Sequence, residues 1–386
     1  MVFPRSILAA LHAAAARFPV VVVLGARQVG KTTLARAAFA GYRYLDLEDP
    51  RTAERFREDA RFELDTNERS GLILDEAQAV PSVFAALRGA TDARRSESGR
   101  FIVLGSAQPA LVRGVSESLA GRAAVIELDP LMAHEAGQGP QAVFWADVWL
   151  KGGFPDALRG DSRLWWESYL RLVLERDLPQ YGVRADPVFM RRLLTMLAHQ
   201  HGSLLNASAL GASLGVSHHT LLRHLDVLEA IYLLRRLPPY FRNVGKRLTK
   251  APKAYLRDTG LLHHLLNIST AEELANHPSR GASWEGFVME DVLRRERLSR
   301  PGTQAYFWRT AAGAEIDLLL DRGNERVAVE IKAGRGDNAR AVRTLREAMP
   351  DVQAARGWIV DQATGVERVA EHIARAGFAS VIQGTP

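Results

Sequence analysis

The stretch from Val20 to Leu34, VVVVLGARQVGKTTL, limits the possible folds more than any other part of the sequence. Gly25, Gly30, Lys31 and Thr32 satisfy G-x-x-x-x-G-K-[ST], and the run Val20-Val21-Val22-Val23 supplies the buried parallel strand that must precede such a loop. The glycines let backbone amides curl around phosphate oxygens with no Cβ in the way. Lys31 is expected to reach the β- and γ-phosphates and Thr32 to ligate Mg2+, while the helix beginning near Lys31 aims its positive end at the anion. Gly25, Ala26, Arg27, Gln28, Val29, Gly30, Lys31, Thr32 and Thr33 form the expected nucleotide cradle. The fold this requires is α/β, with a parallel sheet whose strand ends converge at one edge.

Further strands fit that sheet. Tyr42 to Leu47 alternates and ends in Glu48-Asp49-Pro50, and Phe101 to Ser106 is a buried apolar run ending in a small polar residue. Between them, Gly71 to Glu76 is an apolar strand with two carboxylates at its C-terminal end, the Walker B pattern. Asp75 is expected to hold Mg2+ and Glu76 to orient or deprotonate the attacking water, with Ser106 where a γ-phosphate sensor would sit. Val125 to Leu131 reads as the last strand of this domain, and Gln138 to Pro140 as the break after it.

A chain of 386 residues predicts two or three domains. The absence of cysteine excludes disulfides, thiol catalysis and cysteine-ligated clusters, and fits a reducing cytoplasm, the expected location. No apolar run approaches the ~20 residues that span a bilayer, and MVFPRSILAALHAAAARF lacks the layout of a signal peptide, so no membrane partner is expected. A net charge of +6 suggests a polyanionic partner only if the basic residues cluster.

GARQVGKTTL, LILDEAQ, VLGSAQ and SESLAGRAAVIELDPL together resemble the AAA-type ATPase domain of a bacterial and archaeal family whose C-terminal half is a domain of unknown function. The resemblance implies ATP rather than GTP, with Mg2+, and no guanine-reading Asn-Lys-x-Asp motif follows. It also implies that Ser106 is the polar sensor with Gln108 beside it, and that Arg122 in LAGR acts at the nucleotide in cis or as a finger offered to the next subunit. Arg113 is the second candidate. The competing reading of both arginines is a solvated surface role. A borrowed arginine implies a homo-oligomer, expected as a hexameric ring.

The first domain is placed at 1–140 and a second at 141–265. Lys151 to Pro155 resembles the family's GGFP turn, and the following helix carries Trp165, Trp166 and Tyr169 as expected core residues. Val188 to Gln200, Ala207 to Leu214 and Ser217 to Leu228 read as helices, with Leu214-Gly215-Val216-Ser217 as the turn before a serine N-cap. This is a helix-turn-helix, with His218, His219, Thr220 and Arg223 opening the recognition helix and Ile231 to Leu237 as a wing strand. A metal at the paired histidines is the lesser reading, since helical neighbours point about 100° apart. From Ile231 to Arg257 stand Arg235, Arg236, Arg242, Lys246, Arg247, Lys250, Lys253 and Arg257, with no acidic residue among them. The expectation is a DNA-binding stripe contributed by Arg223, Arg235, Arg236, Arg242, Lys246, Arg247 and Lys250. The alternative is a winged helix used for protein contacts. Lys253 to Leu262, KAYLRDTGLL, resembles a further family signature whose role spacing does not supply.

The third domain is placed at 266–386. A helix over Trp284 to Arg297, strands over Ala305 to Arg309, Glu315 to Leu320 and Arg326 to Lys332, a helix over Asn338 to Met349 and a strand over Gly357 to Val360 resemble the restriction-endonuclease-like, PD-(D/E)xK fold. Asp317, Glu330 and Lys332 fall on its D…ExK pattern, with Glu285 as the extra acidic residue on the first helix. Asp317 and Glu330 are expected to hold a second Mg2+ while Lys332 helps position water; the alternatives are an inactive remnant that only binds DNA and an unrelated α/β domain. The leading expectation is an ATP-hydrolysing, DNA-binding motor, and the alternative is a nucleotide-switched signalling or toxin-linked regulator whose C-terminal domains bind protein.

Overall fold

The computed structural model describes residues 3–67, 70–106, 109–139, 142–181, 186–241, 250–311, 313–334 and 338–383. The chain forms two compact units, 1–131 with the short segments 180–182 and 230–232, and the remainder of 132–386.

In the first unit, helix α1 (Leu8–Ala15), strand β1 (Val20–Leu24), α2 (Lys31–Ala38), β2 (Arg43–Asp46), α3 (Pro50–Asn67), β3 (Leu72–Asp75), α4 (Ser82–Ala93), β4 (Phe101–Gly105), α5 (Pro109–Ser118) and β5 (Ala123–Glu127) follow one another. The strands form one parallel sheet in the order β2-β3-β4-β1-β5. Val20, Val21, Val22 and Val23 are buried because β1 is flanked by β4 and β5 and covered on both faces, the environment that favours β-branched side chains. Phe56, Leu64, Phe84 and Leu87 from α3 and α4 pack on Leu72, Leu74, Phe101 and Val103. Each such buried side chain contributes roughly 1.5 to 3 kcal/mol. β5 starts two residues before the expected Val125, because it must come level with β1, where Val20 pairs with Ala123.

In the second unit, short helices α6 (Ala133–Ala136), α7 (Trp145–Lys151) and α8 (Pro155–Arg159) precede α9 (Ser162–Leu172), α10 (Pro187–His199), β6 (Ser203–Leu204), α11 (Ala207–Leu214), α12 (His218–Ala230), β7 (Leu234–Leu237) and β8 (Lys253–Leu256). After them come α13 (Thr259–Leu265), α14 (Ala271–Asn276), α15 (Arg280–Ser299), β9 (Gln304–Arg309), β10 (Glu315–Asp321), β11 (Arg326–Ile331), α16 (Ala339–Val352), β12 (Arg356–Asp361), β13 (Val366–Ala370), β14 (Ile373–Gly377) and α17 (Phe378–Val381). Antiparallel strands in the order β6-β8-β7 back the three helices α10 to α12. The second, mixed sheet runs β13-β14-β12-β11-β10-β9, with α16 covering one face through Leu345, Ala348 and Val352. Trp166 and Tyr169 are buried around Phe154, as expected of core aromatics, whereas Trp165 is half-buried and stacks on Tyr169.

The border expected at residue 265 falls inside this unit. Arg235 on β7 is paired with Glu290 on α15, and the main chain at Tyr240 donates to Phe307 on β9, so the helical part and the mixed sheet share one interior. The KAYLRDTGLL segment has a role in that interior. Asp258 caps α13 by accepting from Gly260 N at 2.8 Å and also accepts from Gly153 N at 2.9 Å. Gly152 sits at φ +90°, where a Cβ would lie 2.1 Å from Asp258 Oδ1, so the GGFP turn and this signature enforce each other's residues.

Candidate active site

The phosphate loop leaves β1 at the sheet's carboxyl edge and enters α2 through Gly30 at φ +99°, a left-handed turn open chiefly to glycine. A Cβ on Gly25 would meet Leu128 O at 2.4 Å, so the loop is seated against the backbone after β5. Lys31 is buried, and its ammonium donates to Gly25 O at 3.0 Å and Ala26 O at 2.9 Å. Arg5 braces the loop from outside the motif, donating to Val29 O at 3.1 Å and Asp129 O at 2.5 Å. An isolated arginine ahead of α1 carried no signal by which sequence reasoning could have found it.

β3 sets Asp75 opposite this loop. Thr32 Oγ1 donates to Asp75 Oδ2 at 2.5 Å, Tyr44 OH donates to the same oxygen at 3.0 Å, and Glu76 N donates to Oδ1 at 3.0 Å. The two groups expected to hold Mg2+ are thus in contact, with hard oxygens of the kind that ion prefers. Thr32 and Asp75 fit Mg2+, and the loop fits the polyphosphate it would accompany. Glu76 adopts φ +49°, a left-handed conformation that is uncommon without glycine and costs of order 1 to 3 kcal/mol. Burial pushes its carboxyl above the usual range against the pull of Lys31. Gln78 Nε2 donates to Glu76 Oε2, and Gln78 Oε1 is buried with no hydrogen-bond partner among the described residues. Sequence reasoning missed Gln78 in this role, although it lies two residues after the glutamate in DEAQ. Ser106 follows β4, which lies between β1 and β3, so it stands at the same edge. Gln108 lies outside the described residues.

Arg122 is not brought to the phosphate loop. It precedes β5 at the opposite, amino edge of the sheet, where its carbonyl accepts from Val20 N, about 13 Å of strand away from Leu24. Its guanidinium forms two bonds to Asp92, at 2.9 and 3.0 Å. The cis reading of Arg122 is therefore corrected: the side chain is held in a partly exposed pair with Asp92 at the edge away from the phosphate loop. Arg113 is exposed on α5.

In the second unit, α11 and α12 are joined by Gly215 at φ +72°, and Ser217 Oγ accepts from Thr220 N at 3.1 Å to start α12. His218, His219 and Arg223 are exposed, whereas His224 is buried with Nδ1 2.6 Å from Thr220 O. Among the described residues of the basic stripe, Arg235, Arg236 and Arg257 are paired with carboxylates, a correction to the phosphate contacts expected of Arg235 and Arg236. Arg235 is bonded to both oxygens of Glu290, Arg236 to Glu229 and Asp226, and Arg257 lies 3.7 Å from Glu290. Burial opposes ionisation of Glu290, but Arg235 and Arg257 hold its carboxyl well below the usual range. The carboxylates that consume these charges come from α12 and α15, beyond any local count. Lys250 is exposed, and Arg242, Lys246 and Arg247 lie outside the described residues.

Asp317, Glu330, Lys332 and Glu285 do come together. Lys332 Nζ lies 2.5 Å from Glu330 Oε1 and 3.9 Å from Asp317 Oδ2, and Asp317 Oδ2 accepts from Ile331 N at 2.8 Å. The register of β10 against β9 shifts between Ile316 and Leu319, an irregularity that re-aims Asp317. Two residues that were not anticipated join them from β8. Lys253 Nζ is 2.9 Å from Glu285 Oε1, 2.5 Å from Glu315 Oε1 and 4.0 Å from Asp317 Oδ1, and Tyr255 OH donates to Glu285 Oε1 at 2.5 Å. Burial opposes the Lys253 charge, but Glu285, Asp317 and Glu315 push its ammonium above the ordinary range. Burial and Asp317 push Glu285 up to about 7 and Glu330 up to about 8. Among the described residues no group of three or more His, Asp or Glu is placed to hold a metal ion. The second Mg2+ expected here does not fit, because an ammonium already sits among the carboxylates. No described helix is long and apolar enough to cross a membrane.

The sequence matches the family described as an AAA domain over residues 17–137, and two domains of unknown function, DUF8612 over 144–272 and DUF4143 over 280–377. The uncharacterised protein Rv2008c of Mycobacterium tuberculosis is 42% identical over 364 residues, covering 92% of this chain and 79% of that protein. An uncharacterised protein of Haemophilus influenzae is 25% identical over 250 residues, covering 60% of this chain and 58% of its own length. Among solved structures, the Walker-type ATPase of Pyrococcus abyssi aligns with a TM-score of 0.47 at 16% identity, covering 69% of this chain and 96% of that one.

Proposed function

We propose that this chain, which belongs to the same family as Rv2008c, is an ATPase whose hydrolysis is coupled to DNA binding by its second unit. The observation that carries the hydrolytic part is the contact of Thr32 with Asp75 beside Lys31 and Glu76, the phosphate clamp and water-orienting carboxylate on one sheet edge. Mg2+ held by Thr32 and Asp75 would supply charge neutralisation at the phosphates. Lys31 and the loop amides bind the β- and γ-phosphates once the ammonium leaves the carbonyls of Gly25 and Ala26. Glu76, held by Gln78, orients water and accepts its proton, and a carboxyl raised by burial suits that base. Ser106 senses the γ-phosphate.

The helix-turn-helix reading rests on α11, the Gly215 turn and α12, backed by the β6-β8-β7 sheet, an order that fits a winged helix. Exposed His218, His219 and Arg223 at the start of α12 would face the groove, while Lys250 with Arg242, Lys246 and Arg247 would meet phosphates. Arg122 at the amino edge of the sheet is the finger offered to a neighbouring subunit in an oligomeric ring. The internal pairing of Arg235, Arg236 and Arg257 favours a second reading, a nucleotide-switched regulator that binds protein. ATP turnover with and without duplex DNA separates the two. Severalfold stimulation that Arg223→Ala reduces supports coupling to DNA, whereas turnover indifferent to duplex, single-stranded and junction DNA leaves the regulator.

A further inference from the structure

We propose that Lys253 is the resident cation of the pocket formed by Glu285, Glu315, Asp317 and Glu330, and that it closes this endonuclease-like site to divalent metal. The pocket has the acidic residues of a metal site, on the helix and strands where a metal nuclease would place them. What differs is its occupant. Lys253 and Tyr255 are two apart on β8 and so point the same way, and both reach Oε1 of Glu285. The ammonium then spans to Glu315 and lies at 4.0 Å from Asp317, so carboxylates from α15 and β10 converge on one nitrogen. Lys253 is only 3% exposed, with its nitrogen also over the Phe307 ring at 5.7 Å. The Lys253 ammonium and a divalent ion would compete for the same oxygens of Glu285, Glu315 and Asp317 and repel each other across a few ångströms in a buried place. β8 cannot easily withdraw the side chain, since it pairs on both edges, with β6 and β7.

The pocket also holds a carboxyl oxygen that no described donor reaches. Glu330 is 6% exposed, and its Oε2 has no hydrogen-bond partner among the described residues although Oε1 is held by Lys332. Burial and Asp317 raise the Glu330 carboxyl, so this oxygen becomes a ligand only where a cation displaces its proton. Deleting the Lys253 ammonium should therefore turn the pocket into a site for hard divalent or trivalent ions, with oxygens from four carboxylates. The pairing is also why wild-type protein should not cut DNA here.

The test uses terbium, which seeks hard oxygen ligands and emits when excited through a nearby aromatic ring, here Tyr255. Full-length wild-type, Lys253→Met and Lys253→Gln proteins are titrated with Tb3+, each with and without Asp317→Asn, and plasmid nicking in Mg2+ is followed in parallel. The expected result is saturable emission in the Lys253 variants, lost with Asp317→Asn and displaced by Ca2+, and no Asp317-dependent emission or nicking in wild type. Asp317-dependent emission or nicking by wild-type protein would overturn the proposal, as would a folded Lys253 variant that gains no emission. Should Lys253→Met fail to fold, Lys253→Gln keeps hydrogen-bond donors without the charge, and the wild-type titration decides alone if neither folds. None of these readouts depends on ATP turnover, so failure here is distinct from failure of the ATPase reading.

Discussion

Glu76 combines features that rarely meet in one residue: a left-handed backbone, burial, and a side-chain amide as partner. Replacing it with glutamine keeps the shape and removes the base, so Glu76→Gln should bind ATP normally while turnover falls by about 100- to 10,000-fold. Lys31→Ala should instead lose binding, read by a fluorescent ATP analogue. Normal turnover in Glu76→Gln would place the base elsewhere. Two buried histidines set a pH response. Burial pulls His201 down to about 3 and His263 down to about 4, where its Nδ1 meets Leu150 O at 2.8 Å and its Nε2 meets Ser283 Oγ at 2.7 Å. The unfolded chain takes up protons below its ordinary value of about 6.5 while the folded one does not. Stability should hold above that pH and drop by ~1.4 kcal/mol per pH unit for each histidine between about 6.5 and 4. Urea midpoints that stay level from pH 7 to 5 would show that these rings are protonated in the fold.

Among elements, β7, β8 and α15 act as one piece, and their charges define it. Arg235→Ala would leave Glu290 buried and short of a partner, a loss of ~3 to 5 kcal/mol, without changing the salt dependence of DNA binding. Were Arg235 a phosphate contact, the same substitution would flatten the salt slope by about one unit and spare stability. Comparing thermal melts with a binding series in salt decides between them. The same elements show what the sequence could and could not carry. The phosphate loop, Asp75 and Glu76 were legible because local spacing alone dictates strand, loop and helix. Asp317, Glu330 and Lys332 were legible only through their resemblance to the D…ExK pattern, since Glu315 to Asp321, EIDLLLD, is buried along its middle and does not alternate. Lys253 and Arg235 were read with the wrong sign of exposure, since their carboxylate partners lie on α15 and β10, tens of residues away. The edge pair β13 and β14 gave no signal, because Val366 to Gly377 mixes charged and small residues without alternation.

At the scale of the whole molecule, Arg122 is held by Asp92 at the edge of the sheet away from the phosphate loop, so the proposed finger would act on a neighbouring copy and not on its own nucleotide. Light scattering in a nonhydrolysable ATP analogue should show assembly, and Arg122→Ala should lower turnover at least tenfold while leaving ATP affinity in place. A monomer with full activity would remove the finger. Hydrolysis in one unit matters to the other only if nucleotide changes what the second unit binds, and linkage makes that a measurable free energy, typically ~1 to 3 kcal/mol. The most direct test is the affinity of Glu76→Gln protein for duplex DNA, by fluorescence anisotropy, with saturating ATP and with saturating ADP. A difference of about fivefold or more between the two nucleotides is the predicted result. Equal affinities in ATP and ADP, or no binding at low salt in either, would contradict an ATPase coupled to DNA.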